Sequence, residues 1–154
     1  MHESAVLRKV HDDLLCVIDR AVDAENRRNP AYAAFSDDFS PAEFEAFCAH
    51  RLIGVGWNAR VTRQSRDQGV DVIAEKDGMR LAIQCKLYRG SIGNKAVQEI
   101  VAARAHEGAD RGIVVSNSRY TAAAHQLART NAVLLLHYRD LDEIDAVLRR
   151  GAAG

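Results

Sequence analysis

Very little in this 154-residue chain staples or interrupts it: three cysteines, two prolines, one tryptophan and no excess of either charge, with 21 Lys/Arg against 21 Asp/Glu. Cys16, Cys48 and Cys85 are odd in number, far apart and each set in an apolar pattern. That argues against a disulfide framework and a zinc cluster, and predicts buried free thiols in a reducing cytoplasm. The six histidines show no paired spacing such as His-x-x-x-His, which disfavours a zinc enzyme. No run approaches the ~20 apolar residues of a membrane span. The N-terminus leads into a charged amphipathic stretch rather than the apolar core of a signal peptide. There is no low-complexity segment and no internal repeat.

What is present fits one ordinary globular domain. The composition is 47% hydrophobic and 27% charged, and the length is sufficient for a substantial core. The net charge of zero hides an asymmetry. Residues 1–50 carry 5 Lys/Arg against 10 Asp/Glu, residues 51–95 carry 9 against 4, and residues 96–154 carry 7 of each. Arg63, Arg66, Arg89 and Lys95 belong to the middle, positive segment, as does Arg60. Such a patch can neutralise phosphates without making the whole chain basic, although a solvated surface of scattered charge would read the same way.

Periodicity predicts the elements. Residues 4–27 place Val6, Leu7, Val10, Leu14, Val17, Ile18, Ala21 and Val22 on one helical stripe, and Asn29-Pro30 ends it. Ser40-Pro41-Ala42-Glu43 is a capping box that opens a second helix with Phe44, Phe47, Cys48 and Leu52 on one face, stopped at Gly54. Glu43 has a capping job; Glu45 has none and flanks the apolar stripe. Trp57 to Thr62 alternates as a strand, with Trp57, Ala59 and Val61 together. Asn94 is expected to cap a helix ending near Gly108. Gly112 to Ser116 and Val133 to Leu136 read as buried strands. Between them Thr121 caps a helix over 122–130, and Asp140 to Glu143 is expected to open a last helix reaching about Arg149. Strands alternating with helices after a hairpin imply a mixed sheet covered on both faces.

The hairpin carries the chemistry. Asp77-Gly78 suits a type I′ turn, which needs positive φ at both central residues. Counting outward pairs Lys76 with Met79, Glu75 with Arg80, Val72 with Ile83, and sets Asp71 opposite Gln84. One face then holds Val70, Val72, Ala74, Leu81, Ile83 and Cys85, all apolar. The other gathers Asp71, Gln84 and Lys86 beside Ile73 and Ala82. A carboxylate, an amide oxygen and an ammonium within cross-strand reach can hold a hydrated divalent cation and activate its water. A solvated strand face with an Asp–Lys pair is the plainer reading.

Several stretches carry a resemblance in matching order: Phe44-Glu45, Gly54-Val55-Gly56-Trp57, the run from Arg63 to Gly69-Val70-Asp71, and Gln84-Cys85-Lys86. Ser116 to Thr121 and the Ala/His helix after it extend it. Over roughly residues 38–148 the chain resembles the catalytic domain of Mrr-like type IV restriction endonucleases, within the PD-(D/E)xK nuclease superfamily. The resemblance implies an α/β, restriction-endonuclease-like three-layer α-β-α fold with a mixed central sheet. Residues 1–37 would then be an N-terminal helical extension and residues 38–150 the nuclease domain.

It also implies roles. Asp71 would be the principal metal ligand, Gln84 a ligand standing where the wider superfamily has an acid, Glu45 a supporting ligand on its helix, and Lys86 the catalytic lysine. Gln98, Ser116 and Tyr120 join Arg63, Arg66, Arg89 and Lys95 as expected DNA contacts. The implied cofactor is Mg²⁺, replaceable by Mn²⁺, and the implied partner is double-stranded DNA, with no membrane. A homodimer through the N-terminal helix or a sheet edge is a further expectation. The implied activity is a cytoplasmic Mg²⁺-dependent endonuclease acting against foreign DNA. A nuclease-fold DNA-binding or regulatory module, or a Holliday-junction-resolvase-like nuclease, remain as alternatives. The chain departs from the pattern in having Val70 where the superfamily has proline, and Leu136-His137-Tyr138 near the last strand.

Overall fold

Local signals set most of the element boundaries. A computed structural model of the chain describes residues 13–14, 34–62 and 69–152. The helix expected over 4–27 therefore lies outside the described residues, except Asp13 and Leu14, which are helical. Helix α1, Pro41–Gly54, starts at the expected capping box. Ser40 Oγ accepts from the Glu43 amide at 3.1 Å, and Glu43 Oε2 accepts from the Ser40 amide at 2.7 Å. Strand β1, Asn58–Val61, is followed by β2, Val72–Lys76, and β3, Met79–Lys86. Asp77 and Gly78 between them have φ values of 50° and 81°, as a type I′ turn requires.

The chain continues through α2 (Asn94–His106), β4 (Arg111–Ser116), α3 (Ala122–Thr130) and β5 (Val133–His137), then a 3₁₀ turn (Tyr138–Glu143) and α4 (Ile144–Ala152). The five strands form one mixed sheet in the order β1-β2-β3-β4-β5. The first three are antiparallel neighbours, and β3, β4 and β5 run parallel. Helices on both faces make it a three-layer α-β-α fold.

Two cores result, one on each side of the sheet. On one side α1, the 3₁₀ turn and α4 bury Phe44, Phe47, Leu52, Leu141, Ile144 and Leu148 against Trp57, Val72, Ala74, Leu81, Ile83, Ile113 and Val115. On the other, α2 and α3 bury Ala96, Val97, Ile100, Ala124 and Ala128 against Ile73, Ala82, Val114 and Val133. The odd and even positions of β3 thus face different helices, as the pleat requires.

Four details depart from the sequence expectations, each for a local reason. Val61 is 37% exposed, because β1 is the sheet edge. Asn94 is the first residue of α2 rather than its cap; Gly93 takes the cap position with no side-chain bond. Asp140 caps the 3₁₀ turn instead of opening a long helix: its Oδ2 accepts from the His137 amide at 2.9 Å, and α4 starts only at Ile144. Val70 joins the α2-side core, not the α1-side face. The regular β2–β3 ladder ends at the Val72–Ile83 pair, so alternation no longer governs Val70.

Candidate active site

The break in that ladder places Asp71. Its amide donates to the Ile83 carbonyl at 2.8 Å, one residue short of the regular register that would set it opposite Gln84. Its carboxylate oxygen Oδ2 then accepts from the Cys85 amide at 2.8 Å. A side chain has replaced the backbone acceptor that β2 would otherwise offer, which anchors Asp71 at the margin of the sheet. The residue after β1 clamps the same point: the Thr62 amide donates to the Asp71 carbonyl at 2.9 Å and Thr62 Oγ1 donates to the Val70 carbonyl at 2.7 Å.

Glu45, on the second turn of α1, meets Asp71 in a side-chain hydrogen bond. Two carboxyl groups stay in contact only with a proton or a cation between them. Burial pushes the Asp71 carboxyl above its ordinary range, while the Cys85 amide, Glu45 and the Lys86 charge pull it back and Glu99 adds to the rise. Behind this pair, Cys85 packs against Cys48 of α1. That neighbouring thiol and the burial push the Cys85 thiol well up; both described cysteines are free, Cys48 buried as expected and Cys85 partly buried.

Gln84 and Lys86 lie two apart on β3 and face α2. Gln84 is only 3% exposed. Its Nε2 donates to Glu99 Oε2 at 2.5 Å, and its Oε1 is buried with no hydrogen-bond partner. Lys86 Nζ lies 3.3 Å from the same Glu99 oxygen. The structure thus brings together Asp71, Glu45, Gln84 and Lys86, and adds Glu99, which sequence reasoning passed over in favour of Gln98. Helical spacing could have found it. Glu99 follows Ala96 by three and precedes Ala103 by four, both buried, whereas Gln98 is exposed.

Among the described residues no group of three or more His, Cys, Asp or Glu is arranged to hold a metal ion. The available donor set is mixed: two contacting carboxyls and one amide oxygen. That suits a hard cation which takes few protein oxygens and keeps its water. The orphaned Gln84 oxygen is the observation that makes these residues fit such an ion, since a buried carbonyl without a partner is unfavourable unless something occupies it.

The other expected DNA contacts divide. Arg89 and Lys95 are exposed near the site, and Lys95 lies 3.9 Å from Glu99 with its side chain 89% exposed. Arg63 and Arg66 lie outside the described residues. Ser116 and Tyr120 turn inward instead. Ser116 is fully buried, and its hydroxyl donates to the Lys86 carbonyl at 2.6 Å. The Tyr120 hydroxyl sits between the carbonyls of Val114 at 3.0 Å and Leu136 at 2.7 Å, and burial holds it protonated. Both satisfy strand-end carbonyls rather than face solvent. They belong to a brace that zips residues 88–92 onto 117–121. Tyr88 N donates to Asn117 Oδ1 at 2.8 Å, Ile92 N to the Arg119 carbonyl at 2.8 Å, and Ser118 Oγ to the Gly90 carbonyl.

Comparison with known proteins bears on this arrangement. No curated protein matches the chain. Among solved structures it is similar to a protein of unknown function, AF1548 (20% identity, TM-score 0.55, covering 63% of this chain and 57% of that one). It is also similar to protein VC1899 from Vibrio cholerae (14%, 0.54, covering 71% and 33%). The DNA modification-dependent restriction endonuclease AspBHI is a weaker likeness (20%, 0.49, covering 79% and 41%). The chain therefore spans little more than half of the first of these and less than half of the others. At these identities the likeness to the first two is one of fold. The family model of the Mrr catalytic domain, described as restriction endonuclease, matches residues 36–144, which is well over half the chain. This chain belongs to the Mrr-type restriction endonuclease catalytic-domain family.

Proposed function

We propose that this protein is a Mg²⁺-dependent DNA endonuclease, acting in the cytoplasm in restriction of foreign DNA, with residues 38–150 as its nuclease domain. The observation that carries the reading is the buried, partnerless Oε1 of Gln84, beside the contacting carboxyls of Asp71 and Glu45 and two residues before Lys86. Asp71, Glu45 and Gln84 would hold the ion. When bound, Mg²⁺ (or Mn²⁺ in its place) would lower the pKa of a coordinated water and neutralise charge on the phosphoryl group.

The chain's own residues do the rest. Lys86 is held in place, because its Nζ lies 3.3 Å from Glu99 Oε2 and the side chain is only partly exposed. It would donate to a phosphoryl oxygen and orient the attacking water, stabilising charge as it develops. Asp71 is anchored at Oδ2 by the Cys85 amide, so its carboxylate is held at the margin of the sheet beside Glu45. Arg89 and Lys95, both exposed in the segment that follows β3, would neutralise flanking phosphates of duplex DNA.

The test is cleavage of a supercoiled plasmid by wild type, Asp71→Ala and Lys86→Ala, in Mg²⁺ and in EDTA. Nicking by the wild type alone, and only with Mg²⁺, supports the reading. Equal nicking by all three proteins would sink it. DNA binding without metal-dependent cleavage would favour a binding or regulatory module on the same fold.

A further inference from the structure

Glu99 holds three groups at once. Its Oε2 accepts from Gln84 Nε2 at 2.5 Å and lies 3.3 Å from Lys86 Nζ, while its Oε1 lies 3.9 Å from Lys95 Nζ. An ionised carboxylate only accepts hydrogen bonds, whereas an amide has one donating end and one accepting end. The end of Gln84 that faces Glu99 must therefore be the NH₂ group. The oxygen is turned away, and it is the buried atom without a partner. Without Glu99 the amide would be free to rotate and offer NH₂ to a cation, which repels it.

Gln84 is neutral, so β3 brings no negative charge between Asp71 and Lys86. Glu99 supplies one from α2, against the Gln84 and Lys86 side chains. Its helix is pinned there. A Cβ at Gly69 would stand 3.0 Å from the Glu99 carbonyl oxygen, so the segment leading into Asp71 rests on the Glu99 backbone.

We propose that Glu99 is a positioning residue: it locks the Gln84 amide with its oxygen toward the cation site, holds Lys86 in place, and carries from the helix the negative charge that the strand lacks. This rests on the nuclease reading above. It predicts that the charge can be moved. In Glu99→Gln the amide lock and the partner of Lys86 weaken together. In Gln84→Glu two carboxylates face one another. In the double variant Gln84→Glu/Glu99→Gln the hydrogen bond re-forms with donor and acceptor exchanged, and the net charge of the cluster is restored.

The experiment measures three things on the full chain: Mg²⁺-dependent plasmid cleavage, the rise in melting temperature on titrating MgCl₂ without DNA, and the Gln84 side-chain amide resonance in ¹⁵N NMR. Each single variant should lose about 10–100-fold in cleavage, the range found when partners behind metal ligands are removed. Each should also lose most of the MgCl₂-induced rise in melting temperature, and the double variant should recover most of both. In the wild type, one Gln84 amide proton should be shifted downfield by its charged acceptor. Cleavage and MgCl₂ response of Glu99→Gln equal to wild type would overturn the proposal, as would a double variant no better than the worse single one. Should Glu99→Gln fail to fold, an unshifted Gln84 amide in the wild type overturns it equally. If the wild type shows no Mg²⁺-dependent cleavage, it is the nuclease reading that fails, and the MgCl₂ response and the resonance still decide the role of Glu99.

Discussion

Gly69 rests on the backbone of Glu99: a Cβ built at Gly69 would lie 3.0 Å from the Glu99 carbonyl oxygen and 3.2 Å from its carbonyl carbon. Gly69 also has φ of +73°, a conformation that L side chains avoid. Two requirements for glycine thus coincide two residues before Asp71. Gly69→Ala should lose more than the ~1 kcal/mol of the left-handed backbone alone, because a main-chain contact must also open. Cleavage should fall further than stability does, since the shift moves Asp71 relative to Gln84. Denaturant unfolding and cleavage rates measured on one preparation check both.

Gly78 makes the contrast. Its φ is +81°, yet a Cβ there meets nothing within 4 Å. Gly78→Ala should cost about 1 kcal/mol of stability from backbone strain alone and leave cleavage unchanged. A large loss of activity in this variant would mean that the hairpin tip takes part in function.

Asp71 should trade stability for activity. Burial is the main reason its carboxyl titrates above the ordinary range near about 3.9. A folded-state pKa above the unfolded one favours the fold at low pH, and that benefit is lost as pH rises through the folded value. At pH 7, without a cation, the ionised group therefore costs stability. Asp71→Asn keeps an acceptor for the Cys85 amide and removes the charge. It should raise the metal-free melting temperature by a few degrees at pH 7, by less at pH 4, and slow cleavage at least about 100-fold.

Asp145 shows the opposite sign. Lys76 Nζ donates to its Oδ2 at 2.8 Å and Trp57 Nε1 to its Oδ1 at 3.0 Å, and the Lys76 bond is the main reason its carboxyl is held below the ordinary range. This contribution is present at neutral pH and is lost as pH falls through the lowered folded value. The pair is partly exposed to screening solvent, so Asp145→Asn should cost no more than about 1 kcal/mol at pH 7. The difference should shrink in high salt and vanish in strong acid, as melting curves across pH would show.

Much of this was legible because it is local. The Ser40 capping box, the Asp77-Gly78 turn and the two-residue alternation of β3 depend on neighbours in sequence, and the last of these puts Gln84 and Lys86 together. Glu45 was reached through the family resemblance. What stayed hidden depends on residues far apart. The exact seat of Asp71 follows from a broken ladder, and Val70 changes side with it. Glu99 needed the helix phase to be carried past Gln98. Ser116 and Tyr120 read as DNA contacts at the end of a buried strand, whereas their hydroxyls are taken up by the carbonyls of Lys86, Val114 and Leu136.

The most direct measurement is single-turnover cleavage of a labelled DNA duplex, started by adding Mg²⁺ to the EDTA-treated protein–DNA complex. No cut strand is expected before the addition, cleavage after it, and a rate at least about 100-fold lower for Lys86→Ala bound to the same DNA. Cleavage that proceeds in EDTA, or at the same rate in wild type and Lys86→Ala, would contradict the nuclease reading.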